Sequence, residues 1–576
     1  MFKKISKILY LNRWVFVFAF LIAILTAVPQ MIQIRSLGES FEGIYPIFGS
    51  DDLYYLARGR DSIDAHSKLG NPYLFEYKNY PTIQFWIPDY FLARSLTLIG
   101  LDIFQSNIFF DGVFPFFLFI LTFAVIYLSS RDRIISFAGA VFLHAGLFLE
   151  LFGRSPSPQI NFLFFLLVPL FLFNYFHTKN IRWAILLGVA LGCLFYVYTY
   201  YWTFYFVYLF LLCTGIYLSK TGKEYLRGIF LSFVVACLLG VPYIVDMLHN
   251  VKIGEYADTM ARLGMLSTHF PSGIRMVGSG ALLFFLGAIC LRKKIISKNI
   301  YAISLLSGVI AGPLVANHHI ITGKNLEFSS HYWMPAVFWF VFFVCYVLSR
   351  IFSFENFKER KSLYIKILFI GIFIFSFRNA FYIAVRQSVV TEQIIDWQGY
   401  GEVMQWLDSN TDKDDVVFAD DELSNLIPMY THNNVFYSRF ANLHFISNKE
   451  VENRFLINQY WNTLEYSDFV RYERSIWGTQ FINAYAHNQS KNKVRRVLFL
   501  RQISYERLPQ DAMRDIQHKY TVLKQEFFPV LVKPYRLDYI VWDTEKHADW
   551  NLDQYNFFTQ VHEIDNFKIY SFDAPV

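Results

Sequence analysis

Two adjacent carboxylates, Asp51 and Asp52, stand in the stretch Phe48-Gly49-Ser50-Asp51-Asp52-Leu53-Tyr54-Tyr55-Leu56-Ala57-Arg58, shortly after the first long apolar run. Neighbouring acids push their pKa values apart, so one of the pair holds its proton closer to neutral pH than a lone aspartate does. A carboxylate tuned in this way can take a proton from a hydroxyl nucleophile, or it can hold a divalent cation. The same stretch predicts the start of a helix. Ser50 is the expected N-cap, and the acids fall in the first turn, where the helix dipole favours negative charge. At helical spacing Asp51, Tyr55 and Arg58 share one face, and Asp52 neighbours Tyr55. Asp52 lies one position deeper and is the preferred base. The plainer alternative is that both acids only cap a surface helix.

The elements that must position these groups are membrane spans. Of the 576 residues, 55% are hydrophobic, 20% aromatic and 17% charged, and the mean hydropathy is +0.31. These values fit a polytopic α-helical membrane protein with a substantial soluble part. The net charge of +6 does not point to nucleic acid, because the cations fall in short clusters between apolar runs. Apolar runs near residues 14–34, 107–128, 134–151, 160–176, 183–202, 203–218, 228–248, 276–291, 300–321, 334–348 and 365–385 give about eleven transmembrane helices. Residues 83–101 are interrupted by Pro88, Asp89 and Arg94 and read as a surface-lying or re-entrant helix. The clusters Arg131/Arg133, Lys179/Arg182, Lys220/Lys223/Arg227, Arg292/Lys293/Lys294/Lys298 and Arg350/Lys358/Arg360/Lys361 occupy alternate loops. Together with Lys3, Lys4 and Lys7 they place the N-terminus in the cytoplasm and the other loops outside. The N-terminal run shows no cleavage site and reads as an uncleaved first span.

These rules divide the chain into a transmembrane domain, 1–386, with a first outward loop of about 35–104, and an extracytoplasmic domain, 387–576. In the second part the pattern changes. Helical periodicity at 403–407 and 423–430 alternates with strand-like runs at 415–419, 434–437, 537–542 and 567–572, as in an α/β or α+β domain. Asp414/Asp415 and Asp420/Asp421 there suit turns and caps. The five cysteines, Cys193, Cys213, Cys237, Cys290 and Cys345, all sit in apolar runs. They form neither a metal pattern nor a disulfide framework. The sequence contains no phosphate-loop, zinc or nucleophile-elbow motif.

An acid-bearing first outward loop, further outward loops with Arg and His, many spans and a C-terminal outward domain together resemble the C-type (GT-C) membrane glycosyltransferases. The likeness rests on Gly49-Ser50-Asp51-Asp52-Leu53-Tyr54-Tyr55-Leu56-Ala57-Arg58 and on Gly153-Arg154-Ser155-Pro156-Ser157-Pro158-Gln159. The second stretch is similar to second outward loops of bacterial members. The group includes protein O-mannosyltransferases, aminoarabinose transferases and oligosaccharyltransferases. Two family features are missing. The Trp-Trp-Asp-Tyr-Gly motif of oligosaccharyltransferases does not occur, and Trp397-Gln398-Gly399-Tyr400-Gly401 does not replace it. The second loop also lacks an Asp-X-Asp.

The resemblance implies transfer of a sugar from a polyprenyl-phosphate donor to an extracytoplasmic acceptor, a cell-envelope glycan, lipid or protein, in a bacterial cytoplasmic membrane. Such a transfer needs a base, a stabiliser for the leaving phosphate and alignment of the two ends. Asp52 or Asp51 suits the first role, with inversion at the anomeric carbon. Arg154, Arg262, Lys324 and His331 are the candidates for the phosphate, and Tyr55, Arg58 and Glu327 for further substrate contacts. Arg suits phosphate because its fork binds two oxygens and keeps its charge. Each of these residues has a structural alternative, a cation that snorkels to the interface or pairs locally. No cofactor is required outright; Mg2+ or Mn2+ on Asp51 or Asp52 is the metal option. Tyr196, Tyr198, Tyr200, Tyr201 and Trp202 crowd one outward span end and suit either sugar stacking or an interfacial belt. Three rivals remain: a transporter or flippase of lipid-linked sugars, an envelope polymerase or ligase of another fold, and a non-catalytic binding protein of the GT-C type.

Overall fold

The structure is a computed structural model that describes residues 13–64, 69–82, 85–326, 329–353 and 361–573. Eight helices among the described residues are long and apolar enough to cross a membrane. Three shorter apolar helices, Arg133–Leu147, Ile181–Tyr196 and Ile300–Val315, fall where the sequence places its remaining crossings. The protein is a multi-pass helical membrane protein with a sheet-containing C-terminal region. The described part of the segment 83–101, residues 85–101, contributes the helix Ile87–Thr97, with Pro88 in its first turn. Its 11 residues fall short of the ~20 that a bilayer requires.

Helix packing in the spans relies on aromatic rings and small residues. Phe162 packs against Phe338 with ring centroids 4.3 Å apart, and Trp339 against Tyr208 at 4.5 Å. A Cβ on Gly308 would come within 2.1 Å of the Trp339 ring. Glycine at that position lets Ile300–Val315 seat the indole of Trp333–Ile351, the close approach that small residues provide in membranes. The first span, Arg13–Leu37, lies along Ile103–Ser130, where the Thr26 hydroxyl donates to the Asp111 carbonyl at 2.6 Å.

Two short strands, β1 (Leu266–Ser267) and β2 (Lys324–Asn325), pair antiparallel between loops of the membrane region. The C-terminal region holds β3 (Val416–Phe418), β4 (Asn434–Val435), β5 (Tyr539–Asp543), β6 (Phe558–Ile564) and β7 (Phe567–Phe572) in the order β4-β3-β5-β7-β6. Strands β4, β3 and β5 are parallel, whereas β7 and β6 add antiparallel. The four strands read from the sequence are present. β6 was not read, because it is an edge strand with mostly exposed side chains and lacks the apolar alternation of a half-buried strand. Asp420 caps the helix Asp421–Tyr430, accepting from the Glu422 and Leu423 amides at 2.8 Å.

The first loop and the C-terminal region share one core. Leu53, Leu56 and Tyr73 pack with Leu423, Ile427 and Val435, and the Val435 amide donates to the Tyr73 carbonyl at 2.7 Å. The helix carrying the acid pair is therefore wedged between the spans and the sheet layer.

Candidate active site

The acid helix is Ser50–Ile63, and its N-cap is Gly49 rather than the expected Ser50. Gly49 is extended (φ −151°, ψ 150°) and its carbonyl accepts from the Asp52 amide at 3.0 Å. Ser50 is thus the first helical residue, and no side chain caps the turn. A Cβ at position 49 would sit 3.8 Å from Asp52 Oδ2 and 3.9 Å from Arg154 Cδ, which puts all three residues in one cluster.

Arg154 Nη1 donates to Asp51 Oδ2 at 2.6 Å. The Asp51 side chain is 61% exposed and that of Arg154 22%. Asp52 is buried. Burial raises its pKa from the ordinary 3.8 to about 7, with Arg154 opposing and Asp51 reinforcing the shift. Burial works against charge on Arg154, but Asp52, Tyr55 and Asp51 outweigh it and hold the guanidinium charged. The two acids thus differ: one is open and paired, the other enclosed and poised near neutrality.

Arg154 is presented by a segment locked from below. The Ser155 hydroxyl donates to Asp111 Oδ1 at 2.8 Å and lies 2.9 Å from the Asn107 carbonyl. Gln159 Nε2 donates to the same Asp111 oxygen at 2.7 Å and to the Phe152 carbonyl at 2.6 Å. Ser157, between them, hydrogen-bonds the Tyr55 hydroxyl. Asp111 escaped the sequence reading. A single acid inside an apolar span is a recognisable signal, because ionisable groups there are costly and seldom idle.

His331 lies on the 3-10 turn Ser329–Tyr332. Its ring stacks on Tyr200 at 4.6 Å and 13°, and its Nδ1 hydrogen-bonds the Tyr198 hydroxyl. Burial lowers its pKa to about 4, against the pull of Asp51 and with the push of Arg154. The imidazole is therefore neutral at pH 7. Asp51, Tyr55 and His331 line a cavity of about 370 Å³ whose aromatic wall includes Trp86, Tyr196 and Tyr243. Asp246, on the helix Leu226–Asn250, lines it too. Of the crowded tyrosines, Tyr196, Tyr198 and Tyr200 face this space.

Other sequence candidates lie elsewhere. Arg58 is fully buried on Asp89 at 3.1 Å, bonds the Tyr54 hydroxyl at 2.9 Å and the Phe85 carbonyl at 2.5 Å. It joins the acid helix to Ile87–Thr97 and is not positioned for substrate. Arg262 is buried among carbonyls of the C-terminal region, with Ile446 O at 2.6 Å and Asn448 Oδ1 at 2.5 Å. Its fork is turned to these acceptors and it is not among the residues lining the cavity, so it acts as a peg and not as a phosphate ligand. Lys324 is exposed on β2 and is not among the residues lining the cavity. Glu327 lies outside the described residues.

Among the described residues no three His, Cys, Asp or Glu side chains are grouped to hold a metal ion. Arg154 occupies an Asp51 oxygen, and Ser155 and Gln159 occupy one of Asp111. This donor set does not fit a divalent cation held by protein side chains alone.

No protein-family model matches the chain, and no curated protein matches it. Solved structures do match. The archaeal oligosaccharyltransferase AglB from Archaeoglobus fulgidus, in complex with an inhibitory peptide and a dolichol-phosphate, is similar with a TM-score of 0.53. The identity is 10%, over 94% of this chain and 71% of that one. The A. fulgidus oligosaccharyltransferase complex with Zn and sulfate gives 0.49 at 13% identity, over 73% of this chain and 62% of that one. ArnT from Cupriavidus metallidurans in the apo state gives 0.48 at 11% identity, over 95% and 97%. At such identity the AglB likeness shows a shared fold. The chain shares the membrane fold of that oligosaccharyltransferase, with the polytopic helical region and C-terminal sheet that its sequence suggests.

Proposed function

We propose that this protein is a membrane glycosyltransferase. It moves a sugar from a polyprenyl-phosphate donor to an acceptor hydroxyl on the extracytoplasmic side of a bacterial cytoplasmic membrane. The observation that carries this reading is the Arg154–Asp51 pair at the edge of an aromatic-walled cavity. It sets a proton acceptor beside a phosphate-binding fork. The shared fold lends support, since the AglB structure holds a dolichol-phosphate.

The acceptor oxygen attacks the anomeric carbon as its proton passes to Asp51, the acid that faces the cavity. The bond from that carbon to the phosphate oxygen breaks, and its electron pair stays on the phosphate. Arg154 leaves Asp51 for that anion and stabilises it, an exchange that also frees the carboxylate to act as base. One displacement inverts the anomeric configuration. Asp52, behind Asp51, holds Arg154 electrostatically. Neutral His331 and Tyr198 offer hydrogen bonds to sugar hydroxyls, and the tyrosine faces stack on the ring. The acceptor belongs to the envelope glycans, lipids or proteins, and the C-terminal region borders its path.

The test is transfer in membranes. Asp51→Asn and Asp52→Asn are assayed for sugar transferred from lipid-linked donors, and lipid-linked sugars that accumulate without the protein identify the donor by mass. Undiminished transfer in both variants would sink the reading. A transporter of the same lipids would move them across the membrane and form no glycosylated product.

A further inference from the structure

We infer that the C-terminal region is anchored to the membrane surface by an apolar tip, Val497-Leu498-Phe499-Leu500, which dips among anionic lipid headgroups. The tip follows the helix Gln480–Val497. Phe499 is 98% exposed and Val497 75%, and Leu498 and Leu500 are exposed beside them. Four consecutive uncovered apolar side chains, with Ile503 also exposed three residues on, mark an interaction site.

The tip is built, not loose. Asn492 is buried and bonds Ile503 in both directions, Nδ2 to its carbonyl at 2.7 Å and Oδ1 from its amide at 2.9 Å. The Leu500 amide donates to the Arg495 carbonyl at 2.8 Å, and Arg495 Nε donates to the Arg501 carbonyl at 2.6 Å. Phe499 adopts φ +53°, a conformation a bulky side chain seldom takes and one kept where surrounding structure enforces it. The loop holds its rings and aliphatics outward.

The occupant follows from direction and charge. The preceding helix runs along the loop that leads into the span Ile274–Arg292. Thr479 donates to the Arg262 carbonyl at 2.7 Å, Asn483 to Gly264 at 3.0 Å, His487 bonds Thr268 at 2.8 Å, and Lys491 lies over the Phe270 ring. Each step along the helix meets a residue closer to the start of the span. From Lys491 to Val497 the helix advances a further ~9 Å, which brings the tip to the level of the first turn of that span. Ile274 is exposed there, and nearby Ile321 is 89% exposed. Both are apolar side chains at a lipid-facing level. Arg496 and Arg501 flank the tip in the open, and Lys493 is exposed one turn back. Cations flanking an apolar insertion are the arrangement that anionic bilayers retain.

The test is depth measurement on the full chain in vesicles. A spin label is placed by Phe499→Cys, with the five native cysteines replaced by alanine. A second label, Val561→Cys, marks an exposed apolar position on the sheet edge. In vesicles of phosphatidylcholine with phosphatidylglycerol, the label at 499 is expected to be several-fold more accessible to oxygen, and less to an aqueous nickel reagent, than the label at 561. Arg496→Gln with Arg501→Gln should cut that protection, and so should phosphatidylcholine alone; Arg495 is left in place to keep the turn. Equal nickel access at 499 and 561 overturns the inference. So does protection that persists in detergent and grows with protein concentration, which would mean that a second copy covers the tip.

Discussion

At the residue scale the two acids sit in different environments, and the roles proposed for them follow from that difference. Asp51 faces the cavity, so Asp51→Asn should lower turnover by about 10²–10⁴-fold, the usual contribution of a positioned base. A radiolabelled transfer assay with saturating donor checks this. Asp52 is the titrating partner. Its pKa in the folded chain, about 7, lies above its ordinary 3.8. Between those values the folded chain therefore keeps a proton that the unfolded chain has lost. Stability falls as pH rises from about 4 to about 7, and the penalty is complete above that window. Asp52→Asn removes the penalty, which bounds the gain at about 4 kcal/mol at pH 8 and near zero at pH 4. Thermal unfolding in detergent at the two pH values reads the difference. A gain of equal size at both would mean that Asp52 does not titrate in this range. The sequence singled out this pair because two acids at a helix start after a span are conspicuous. The sequence favours Asp52 by its depth in the helix; access, which depends on how Arg154, 103 residues on, packs against the pair, favours Asp51.

At the scale of elements, the segment Ser155–Ile160 and the span Ile103–Ser130 make one unit through Asp111. One carboxylate oxygen takes both Ser155 and Gln159, so Arg154 is held at its place by its immediate neighbour. Asp111→Ala removes the carboxylate acceptor that Ser155 and Gln159 share, leaving them only the Asn107 and Phe152 carbonyls, at a cost of about 1–3 kcal/mol, and lets Arg154 drift. The expected result is a raised KM for donor, larger than the change in kcat. Asp111→Asn, which keeps an accepting oxygen, should restore much of the affinity. Equal loss in both variants would assign Asp111 to charge and not to positioning. Spans and strands were legible because apolar length and alternation are local signals. The clamp was not, because it joins a membrane span to a loop 44 residues on, and nothing in Ser-Pro-Ser-Pro announces its partner. The edge strand β6 was missed for the opposite reason. Its pairing with β7 is local, but its side chains face water and carry no apolar pattern.

At the scale of the whole molecule, the membrane and C-terminal regions are joined by side chains that charge alone would assign to substrate. Arg262 ends the short helix Tyr256–Arg262, and its guanidinium reaches Asn442 and His444 carbonyls at 3.4 Å, Ile446 O at 2.6 Å and Asn448 Oδ1 at 2.5 Å. From the other side Thr479 returns a bond to the Arg262 carbonyl. Gly478, at φ +58°, lets the chain pass so close that a Cβ there would lie 2.5 Å from that carbonyl oxygen. An isolated Arg in an outward loop looks like a phosphate ligand. Only the fold brings residues 180 positions later around it. Arg262→Met keeps the apolar stem but orphans these buried acceptors, at a cost of roughly 3 kcal/mol. The seam should then open before either region unfolds. Limited proteolysis should cut within residues 250–275 several-fold faster, while the helical signal of the spans stays unchanged. Arg262→Lys retains a charge but not the fork and should fall between the two. If Arg262→Met instead abolished donor binding with the cleavage rate unaltered, Arg262 would be a ligand after all and the seam would be held by the core shared between Leu53, Leu56 and the sheet.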